Sequence, residues 1–426
     1  MLKEFRVSNY KSIDEEQIFT MEACSKSEVS EFPEHVVEIG DERLLKVSSF
    51  YGPNGGGKTN LLSALFVLSN IVKGSQIEND ARGNANYMPC LFNNSEKKYS
   101  SFTIFFVKDG MELGYSLLVD LSKNRLAPSN IGVMVNILDT NIIKEELSFR
   151  RFGETEFNTL FERNEQGIVT SEILSDVDLV KSARPLQKSA TFINYIISTF
   201  GINNSDEHFK PIINLGIELF SIFWLNKETN RFCFTKEAVD VLLPVLGKTS
   251  ELLNGLDFRI KGLHFSEINQ GTYGLYIDRE KENGEIYSIQ SNCESSGTRK
   301  VLNIILDVLS FEESAVFIAD DFDSHLHPKL IKSIIELFTS ISNTNKQLIF
   351  NSHDITNMNN SVFRRDEIWF AFRKENVLST RYLPLSSVVD YKGNMVRKDA
   401  VYGKQYLEGR YGADPFIKKG LEWTNG

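Results

Sequence analysis

A glycine-rich octapeptide constrains this chain of 426 residues more than any other feature. The segment Gly52–Thr59 reads Gly-Pro-Asn-Gly-Gly-Gly-Lys-Thr and fits the pattern Gly-x4-Gly-Lys-Ser/Thr. It follows the apolar run Leu44–Tyr51, which predicts a buried strand, and it opens the stretch Lys58–Leu65, which predicts a helix. A strand, a glycine turn and a helix in this order form a phosphate-binding loop, because backbone N–H groups converge at the helix start.

The loop predicts a nucleoside triphosphate, ATP, and Mg²⁺ as its ligands. The predicted nucleotide-binding residues are Asn54, Gly55, Gly56, Gly57, Lys58, Thr59 and Asn60. Lys58 adds a positive charge for the β- and γ-phosphate oxygens and is also predicted to take part in catalysis. The Thr59 hydroxyl is predicted to ligate the Mg²⁺ ion.

Two further apolar strands end in polar side chains that suit phosphate chemistry. Asp320 and Asp321 follow the run Ala315–Ala319, and His353 follows the strand that ends near Phe350. Ligands of a parallel sheet bind beyond the carboxyl ends of its strands, so these side chains are expected near Thr59. Asp320 is predicted as the second metal ligand, Asp321 as the group that polarises the attacking water, and His353 as a γ-phosphate sensor.

A Ser-Gly pair precedes the amphipathic stretch Val301–Leu306 and lies upstream of the Asp320 strand. N–H groups at a helix start and the positive end of its dipole suit a phosphate group. We therefore predict that Ser296, Gly297 and Thr298 also contact nucleotide. The alternative is that the segment is an ordinary helix N-cap, because Ser and Thr are also common capping residues.

The order of these segments predicts an α/β protein with a mixed sheet and flanking helices. Residues 1–170 read as a β-rich N-terminal part that carries the loop, with an Asp109–Gly110 hairpin turn. Residues 171–256 have helical spacing and read as a helical insertion. Residues 257–426 return to alternating strands and helices, which is typical of parallel strands with crossover helices.

The composition narrows the class of protein. The formal net charge is −10, which argues against a protein whose main task is coating nucleic acid. No run approaches the length of a membrane span, and no secretory signal is evident, so a cytoplasmic location is expected. The four cysteines form no Cys-x-x-Cys pair and are read as reduced thiols, mostly within the core.

Taken in order, these motifs resemble the ABC-type ATPase head of SMC and RecF proteins. The signature loop of that P-loop NTPase family maps to Ser295–Arg299, its D-loop to Asp323–Pro328 and its switch histidine to His353. Since such a head carries one P-loop and one signature, the resemblance implies that two chains assemble head-to-tail around two ATP molecules. Asp321 replaces the glutamate that is usual in the family, and its shorter side chain predicts slow hydrolysis.

Three other segments resemble the AAA-type ATPases of bacterial abortive-infection and RloA-type operons. They are Leu326–Pro328, Arg364–Phe370 and Tyr406–Ala413. The resemblance implies an ATP-driven sensor that controls a separately encoded effector, a nuclease or toxin, in anti-phage defence. Few residues follow Ala413, so a fused effector domain is not expected.

Two alternatives remain at this point. A RecF-like ATPase of recombination and repair would clamp DNA between two heads, which requires a basic stripe that the charge does not indicate. Asp321, Asp323, His325 and His327 are also spaced closely enough for a loop-bound metal. Most of these residues already have a place in the ATPase motifs, which favours an ATPase role for them over a separate metal centre.

Overall fold

The computed structural model describes residues 1–24, 32–74, 87–92, 98–123, 125–128, 134–137, 140–225, 233–256, 258–311, 314–340, 342–343, 345–373, 377–389, 395–397 and 399–413. The strands are β1 Leu2–Ser8, β2 Gln17–Thr20, β3 Val36–Ile39, β4 Glu42–Leu45, β5 Val47–Tyr51, β6 Ser100–Lys108, β7 Met111–Asp120, β8 Arg125–Pro128, β9 Met134–Ile137, β10 Asn141–Arg151, β11 Asn158–Arg163, β12 Val169–Thr170, β13 Ile222–Leu225, β14 Phe234–Thr235, β15 Gly262–Asn269, β16 Thr272–Glu280, β17 Ile286–Gln290, β18 Ala315–Ala319, β19 Lys346–Asn351, β20 Ile368–Arg373 and β21 Thr380–Pro384.

The α-helices are α1 Lys58–Lys73, α2 Asp178–Lys181, α3 Phe192–Phe200, α4 Lys210–Phe220, α5 Lys236–Leu242, α6 Leu246–Gly255, α7 Ser296–Ser310, α8 Pro328–Thr339 and α9 Tyr402–Leu407. Short 3₁₀ helices cover Pro33–His35, Leu243–Val245, Ser291–Cys293, Ile355–Asn357, Arg365–Glu367 and Leu385–Ser387.

A six-stranded sheet forms the centre of the fold, in the order β13-β18-β19-β5-β20-β21. Its neighbours are parallel except for β21, which pairs antiparallel with β20. Alternate residues point to two different cores: Val316 and Ile318 to one, Phe317 to the other. A sheet that is buried on both faces needs continuous apolar strands, which is the pattern of Ala315–Ala319.

The first core joins this sheet to α1, α3, α4 and a second, larger sheet. That sheet is antiparallel, with the order β12-β11-β10-β7-β6-β1-β2. The hairpin between β6 and β7 turns at Asp109 and Gly110, which both have positive φ angles of 49° and 74°. This pair of angles suits a tight hairpin turn, so the hairpin predicted from Asp-Gly is confirmed.

The second core lies on the other face of the central sheet and includes residues of α5 to α9. A small sheet of β14, β15, β16 and β17 packs beside it, and β17 leads through Ser291–Cys293 into α7. The predicted helical segment 171–256 contains α2 to α6. It also contains β13, an edge strand of the central sheet, so this segment contributes to the central fold as well as to a helical layer.

One predicted strand is divided in the structure. The run Leu44–Tyr51 was expected to form a single strand, but β4 ends at Leu45 and β5 begins at Val47, in a different sheet. Lys46 lies between them, and its buried Nζ donates to Ser340 O (2.8 Å) at the C-terminal end of α8. A lysine there satisfies a helix-terminal carbonyl, which explains why the chain changes direction at this residue.

The cysteines also differ from expectation. Cys90 is buried, whereas Cys24, Cys233 and Cys293 are exposed, so the interpretation of the cysteines as core residues was wrong for three of the four. All four are free thiols. Within the described residues, none of the helices combines the length and the apolar character that crossing a bilayer requires.

The segment Tyr406–Ala413 packs against the central sheet through two aromatic rings. Tyr406 stacks on Phe370 of β20 with 5.6 Å between ring centroids and an interplanar angle of 6°, and Tyr411 lies 5.1 Å from the same ring. Tyr406 is 8% exposed, and its hydroxyl donates to Ala413 O. The motif therefore holds the C-terminal helix α9 on the strand next to β5.

Truncation of this aromatic contact should destabilise the protein. We expect Tyr406→Ala to lower the free energy of unfolding by about 3 kcal/mol, since removing a buried aromatic side chain leaves a cavity. The neighbouring Leu407 is 68% exposed, so Leu407→Ala should change it by less than about 0.5 kcal/mol. Denaturant unfolding of both variants checks this, and equal midpoints would contradict the assigned packing.

Candidate nucleotide-binding site

The glycines of the loop Gly52–Thr59 are required by packing against β20 and β21. Gly52 has a φ of 147°, and a Cβ atom there would lie 2.0 Å from Ala371 O. Gly57 has a φ of 101°, and its Cβ would lie 2.3 Å from the Thr380 hydroxyl oxygen. Any other residue at these two positions would strain the backbone and clash with the sheet, so the loop can lie this close only if both positions are glycine.

Side chains of the N-terminal segment and of β21 brace the loop. The Thr380 hydroxyl donates to Gly56 O (3.0 Å), and the Tyr382 hydroxyl donates to Gly57 O (2.7 Å). The Ser12 hydroxyl is hydrogen-bonded to the Thr380 hydroxyl, with 2.7 Å between the two oxygen atoms. Asn60 Nδ2 donates to Ser12 Oγ (2.6 Å). The loop conformation is therefore fixed by the protein itself.

Lys58 lies folded over the loop. Its Nζ donates to Gly52 O (2.8 Å) and to Pro53 O (3.2 Å). Burial lowers the pKa of the Lys58 ammonium, and the nearby carboxylates of Asp321 and Asp320 oppose that shift. A partly desolvated ammonium beside carboxylates is a strong site for an added phosphate group, which would compete for the same charge.

Thr59 and Asp320 come together at the carboxyl ends of the strands, as predicted. The Thr59 hydroxyl donates to Asp320 Oδ1 (2.7 Å). A hydroxyl and one carboxylate are the protein ligands that Mg²⁺ takes beside phosphate oxygens and water, so these residues fit that ion. Across the described residues, no three His, Cys, Asp or Glu side chains converge on a metal position, which argues against the separate metal centre considered at Asp321–His327.

Asp321 and His353 lie side by side at the open edge of the site. Asp321 Oδ1 is 3.7 Å from His353 Nε2, and the two side chains are 38% and 44% exposed. The His353 backbone N–H donates to the Asp323 carboxylate (3.2 Å). Asp321 has a φ of 44°, a left-handed conformation that is uncommon for residues other than glycine. The structure thus places Asp321 and His353, two of the three predicted catalytic groups, close to each other at the strand ends that also carry Asp320.

Asn351 was not predicted, yet it connects the acidic groups. It is fully buried at the end of β19. Its Nδ2 donates to Asp320 Oδ1 (2.6 Å), and its Oδ1 accepts the backbone N–H of Asp321 (2.5 Å). The sequence feature that could have identified Asn351 is its position at the end of a strand. That strand lies between the Asp320 strand and the strand that leads into the phosphate-binding loop.

Lys11 is a second residue that the sequence analysis missed. It lies on the loop after β1, next to Ser12, and its ammonium is within the electrostatic reach of Asp320. Burial lowers the pKa of Lys11 to about 8, and Asp320 opposes the shift. A partly buried cation near the carboxylate that is predicted to ligate Mg²⁺ makes Lys11 a candidate phosphate ligand.

The signature loop lies at the start of α7. The Ser295 hydroxyl caps this helix by accepting the Thr298 N–H (3.2 Å), and it also contacts the Thr298 hydroxyl (2.8 Å). Thr298 is buried by these contacts, while Ser296 is exposed. Gly297 faces the D-loop, where a Cβ would lie 2.8 Å from His325 O. The start of α7 is therefore exposed at Ser296, and the N–H groups of its first turn have no partner within the helix.

The family model described as "AAA domain, putative AbiEii toxin, Type IV TA system" matches residues 47–211 and 226–359, together more than half of the chain. The chain belongs to this family. Both matched stretches carry site residues: the first contains the phosphate-binding loop, and the second contains Ser296, Asp320 and His353.

Several solved structures of SMC heads are similar to this member of the AAA domain family at low identity. The SMC head domain of Thermotoga maritima is 13% identical, with 90% of this chain and 98% of that chain covered and a TM-score of 0.39. The Smc head with coiled coil and joint from Pyrococcus yayanosii is 10% identical, with 96% and 99% covered and a TM-score of 0.45. The comparison with curated proteins gives no match.

Family membership and the loop geometry agree on a P-loop ATPase-type domain of mixed α/β architecture. Such a domain implies nucleotide binding, usually with Mg²⁺. The residues that would hold these ligands here are Lys58, Thr59 and Asp320, with Asn351 fixing the carboxylate.

Loss of the Asn351 amide should disorganise the site without unfolding the protein. We expect Asn351→Ala to lower ATPase activity by about 10- to 100-fold, because the groups that orient a ligating carboxylate typically contribute that much. Asn283→Ala, in an exposed turn, is the matched control and should keep full activity. Steady-state phosphate release checks both variants, and an active Asn351→Ala protein would contradict the assigned role.

Proposed function

We propose that this protein is a Mg²⁺-dependent ATPase that dimerises around ATP, hydrolyses it slowly, and controls a partner effector in anti-phage defence. The observation that carries the proposal is the exposure of Ser296 at the start of α7. Lys58, Thr59 and Asp320 gather at the strand ends, whereas the exposed Ser296 lies on α7, whose start contacts the D-loop. The two halves of a nucleotide site would then meet only between chains.

In this proposal each group has a defined task. The amides of Asn54 to Gly57 and the Lys58 ammonium hold the β- and γ-phosphates. A Mg²⁺ ion held by Thr59 and Asp320 would neutralise the charge that develops on the phosphate oxygens. Asp321 accepts a hydrogen bond from the attacking water, and His353, 3.7 Å from Asp321, lies where it can sense the γ-phosphate.

The second chain supplies the other half. Ser296 and the Gly297 N–H would contact the γ-phosphate held by Lys58 of a second copy, so ATP lies at the interface and stabilises the dimer. Because a ligand that binds the closed dimer more tightly than the single chain shifts the population toward the dimer, hydrolysis and release reopen the two chains. This arrangement makes the protein a switch whose state is set by nucleotide.

The defence role rests on the family description, which names a putative toxin and a toxin–antitoxin system. The net charge of −10 favours a protein effector over direct DNA binding. Co-purification with the product of a neighbouring gene tests that role. The alternative, a RecF-like ATPase, predicts that DNA raises ATPase activity and that the effect falls with salt.

Dimerisation can be tested with a substitution at the signature. We expect wild-type protein to sediment as a dimer with ATP and as a monomer without it. Ser296→Arg should abolish the ATP-dependent dimer, since a long charged side chain would occupy the position of the γ-phosphate contact. Binding of a fluorescent ATP analogue by the single chain should remain within about 3-fold of wild type, because Lys58 and Thr59 are unchanged.

The control for this experiment is Ser266→Arg, which places the same charge on the exposed strand β15. It should dimerise like wild type. A Ser296→Arg variant that still dimerises with ATP would rule out the proposed head-to-tail contact.

Hydrolysis should be limited by the length of the Asp321 side chain. A glutamate is one methylene longer, and a displacement of about 1 Å between reacting groups can cost about 10²-fold in rate. We therefore expect Asp321→Glu to raise turnover by about 10-fold or more, and Asp321→Asn to lower it. Single-turnover hydrolysis checks this, and a fast wild-type enzyme that Asp321→Glu does not improve would refute it.

A further inference from the structure

Lys300 is a buried lysine near the site, and its ammonium contacts several oxygen atoms. It lies on α7 with 7% of its surface exposed. Its Nζ donates to Phe322 O (2.9 Å), to Ser324 O (3.0 Å) and to the Ser324 hydroxyl (2.9 Å), and lies 3.3 Å from Asp321 O. The Lys300 ammonium is thus held by the carbonyl groups of Asp321 and Phe322, which lie just after β18, and by Ser324 of the D-loop.

The backbone after β18 is strained at two positions, one just before the D-loop and one within it. Asp321 has a φ of 44° and His325 has a φ of 63°. Residues other than glycine persist in this region only where the surrounding structure over-determines them. Both strained residues touch α7 through their carbonyl groups: Asp321 O contacts Lys300, and His325 O abuts Gly297.

Ser296 and Lys300 lie one helical turn apart on α7. Residues four apart share one face of a helix and are separated by about 6 Å along its axis. A displacement of Ser296 therefore moves Lys300 as part of the same rigid element. The other end of this connection is Asp321, whose carbonyl accepts from Lys300 and whose carboxylate faces His353.

These contacts place one helix between two different nucleotide sites. In the proposed dimer, Ser296 faces the ATP held by the second chain, while Asp321 acts on the ATP held by its own chain. We propose that Lys300 is a positioning residue that couples these sites: occupancy of the second chain's site, sensed at Ser296, sets the D-loop conformation that aligns Asp321. This inference rests on the proposed head-to-tail dimer.

The chemistry of lysine suits this role. Three ammonium N–H groups can satisfy several carbonyl oxygens at once, which holds a loop without fixing a single direction. Methionine has a similar length and fills the same volume but donates no hydrogen bond, so Lys300→Met leaves D-loop carbonyls without their donor. The strained loop is then free to relax, and the Asp321 carboxylate loses its alignment.

Hybrid dimers test the coupling directly. A tagged wild-type chain is paired with a Lys58→Ala chain, so that its own site is complete while the site that its Ser296 faces lacks nucleotide. We expect hydrolysis per competent site to fall about 10-fold relative to the wild-type dimer. The Lys300→Met homodimer should fall by about the same factor.

The decisive measurement combines the two changes. If Lys300 transmits the state of the neighbouring site, a Lys300→Met chain paired with Lys58→Ala should be no slower than either alone. Independent effects would instead multiply to about 100-fold, and that result would overturn the inference. So would wild-type activity in Lys300→Met. A protein that forms no ATP-dependent dimer in sedimentation refutes the proposed function instead, so the two failures are distinguishable.

Two further variants separate coupling from a loss of folding. Ser324→Ala removes one acceptor of Lys300, so it should show the same non-additivity with a smaller fall in rate, and Lys300→Arg should restore part of the activity. Lys332→Met, at an exposed lysine on α8, is the matched control and should behave as wild type. If Ser324→Ala and Lys300→Arg fold normally but their effects multiply with Lys58→Ala, the inference fails.

Discussion

The geometry of the site depends on the buried amide of Asn351. Both of its polar ends are used: Nδ2 binds the Asp320 carboxylate and Oδ1 accepts the Asp321 N–H. A buried amide that lost either partner would pay the desolvation penalty of an unsatisfied group, so the arrangement is self-enforcing. It also depends on register, because Asn351 pairs with Phe50 at the end of the loop strand, and a one-residue slip would turn its side chain to the other face.

Much of this fold could be predicted from the sequence because the strands of the central sheet are buried on both faces. Continuous apolar runs such as Ala315–Ala319 identify such strands, and the rule that ligands bind at their carboxyl ends locates Asp320. Asn351 and Lys11 could not be found this way. Asn351 lies 31 positions from Asp320 and 292 positions from Thr59, and Lys11 lies near the opposite end of the chain from Asp320. Only the pairing of strands and the packing of loops brings these groups together.

The division at Lys46 has a related cause. Hydrophobic periodicity is read from the segment alone, whereas Lys46 binds two carbonyl groups, Thr339 O and Ser340 O, at the end of α8. The glycines of the phosphate-binding loop carry a similar lesson. Their pattern was interpreted as a cradle for phosphate, and Gly52 and Gly57 also serve the close approach to Ala371 and Thr380. The glycines are therefore constrained twice, by phosphate binding and by packing against the sheet, and fewer substitutions are tolerated than phosphate binding alone would imply.

The exposed edge of the site determines what kind of control is possible. In the single chain Asn54, Gly55 and His353 face solvent, so water screens the charges that act on the γ-phosphate. A second copy that covers this edge would exclude that water and strengthen each electrostatic contact at the moment when Ser296 arrives. Dimer formation and completion of the site for ATP hydrolysis would then be a single event. In the proposed mechanism, a short carboxylate at Asp321 would delay the step that ends this event, so nucleotide would stabilise the closed dimer for longer than in an efficient hydrolase.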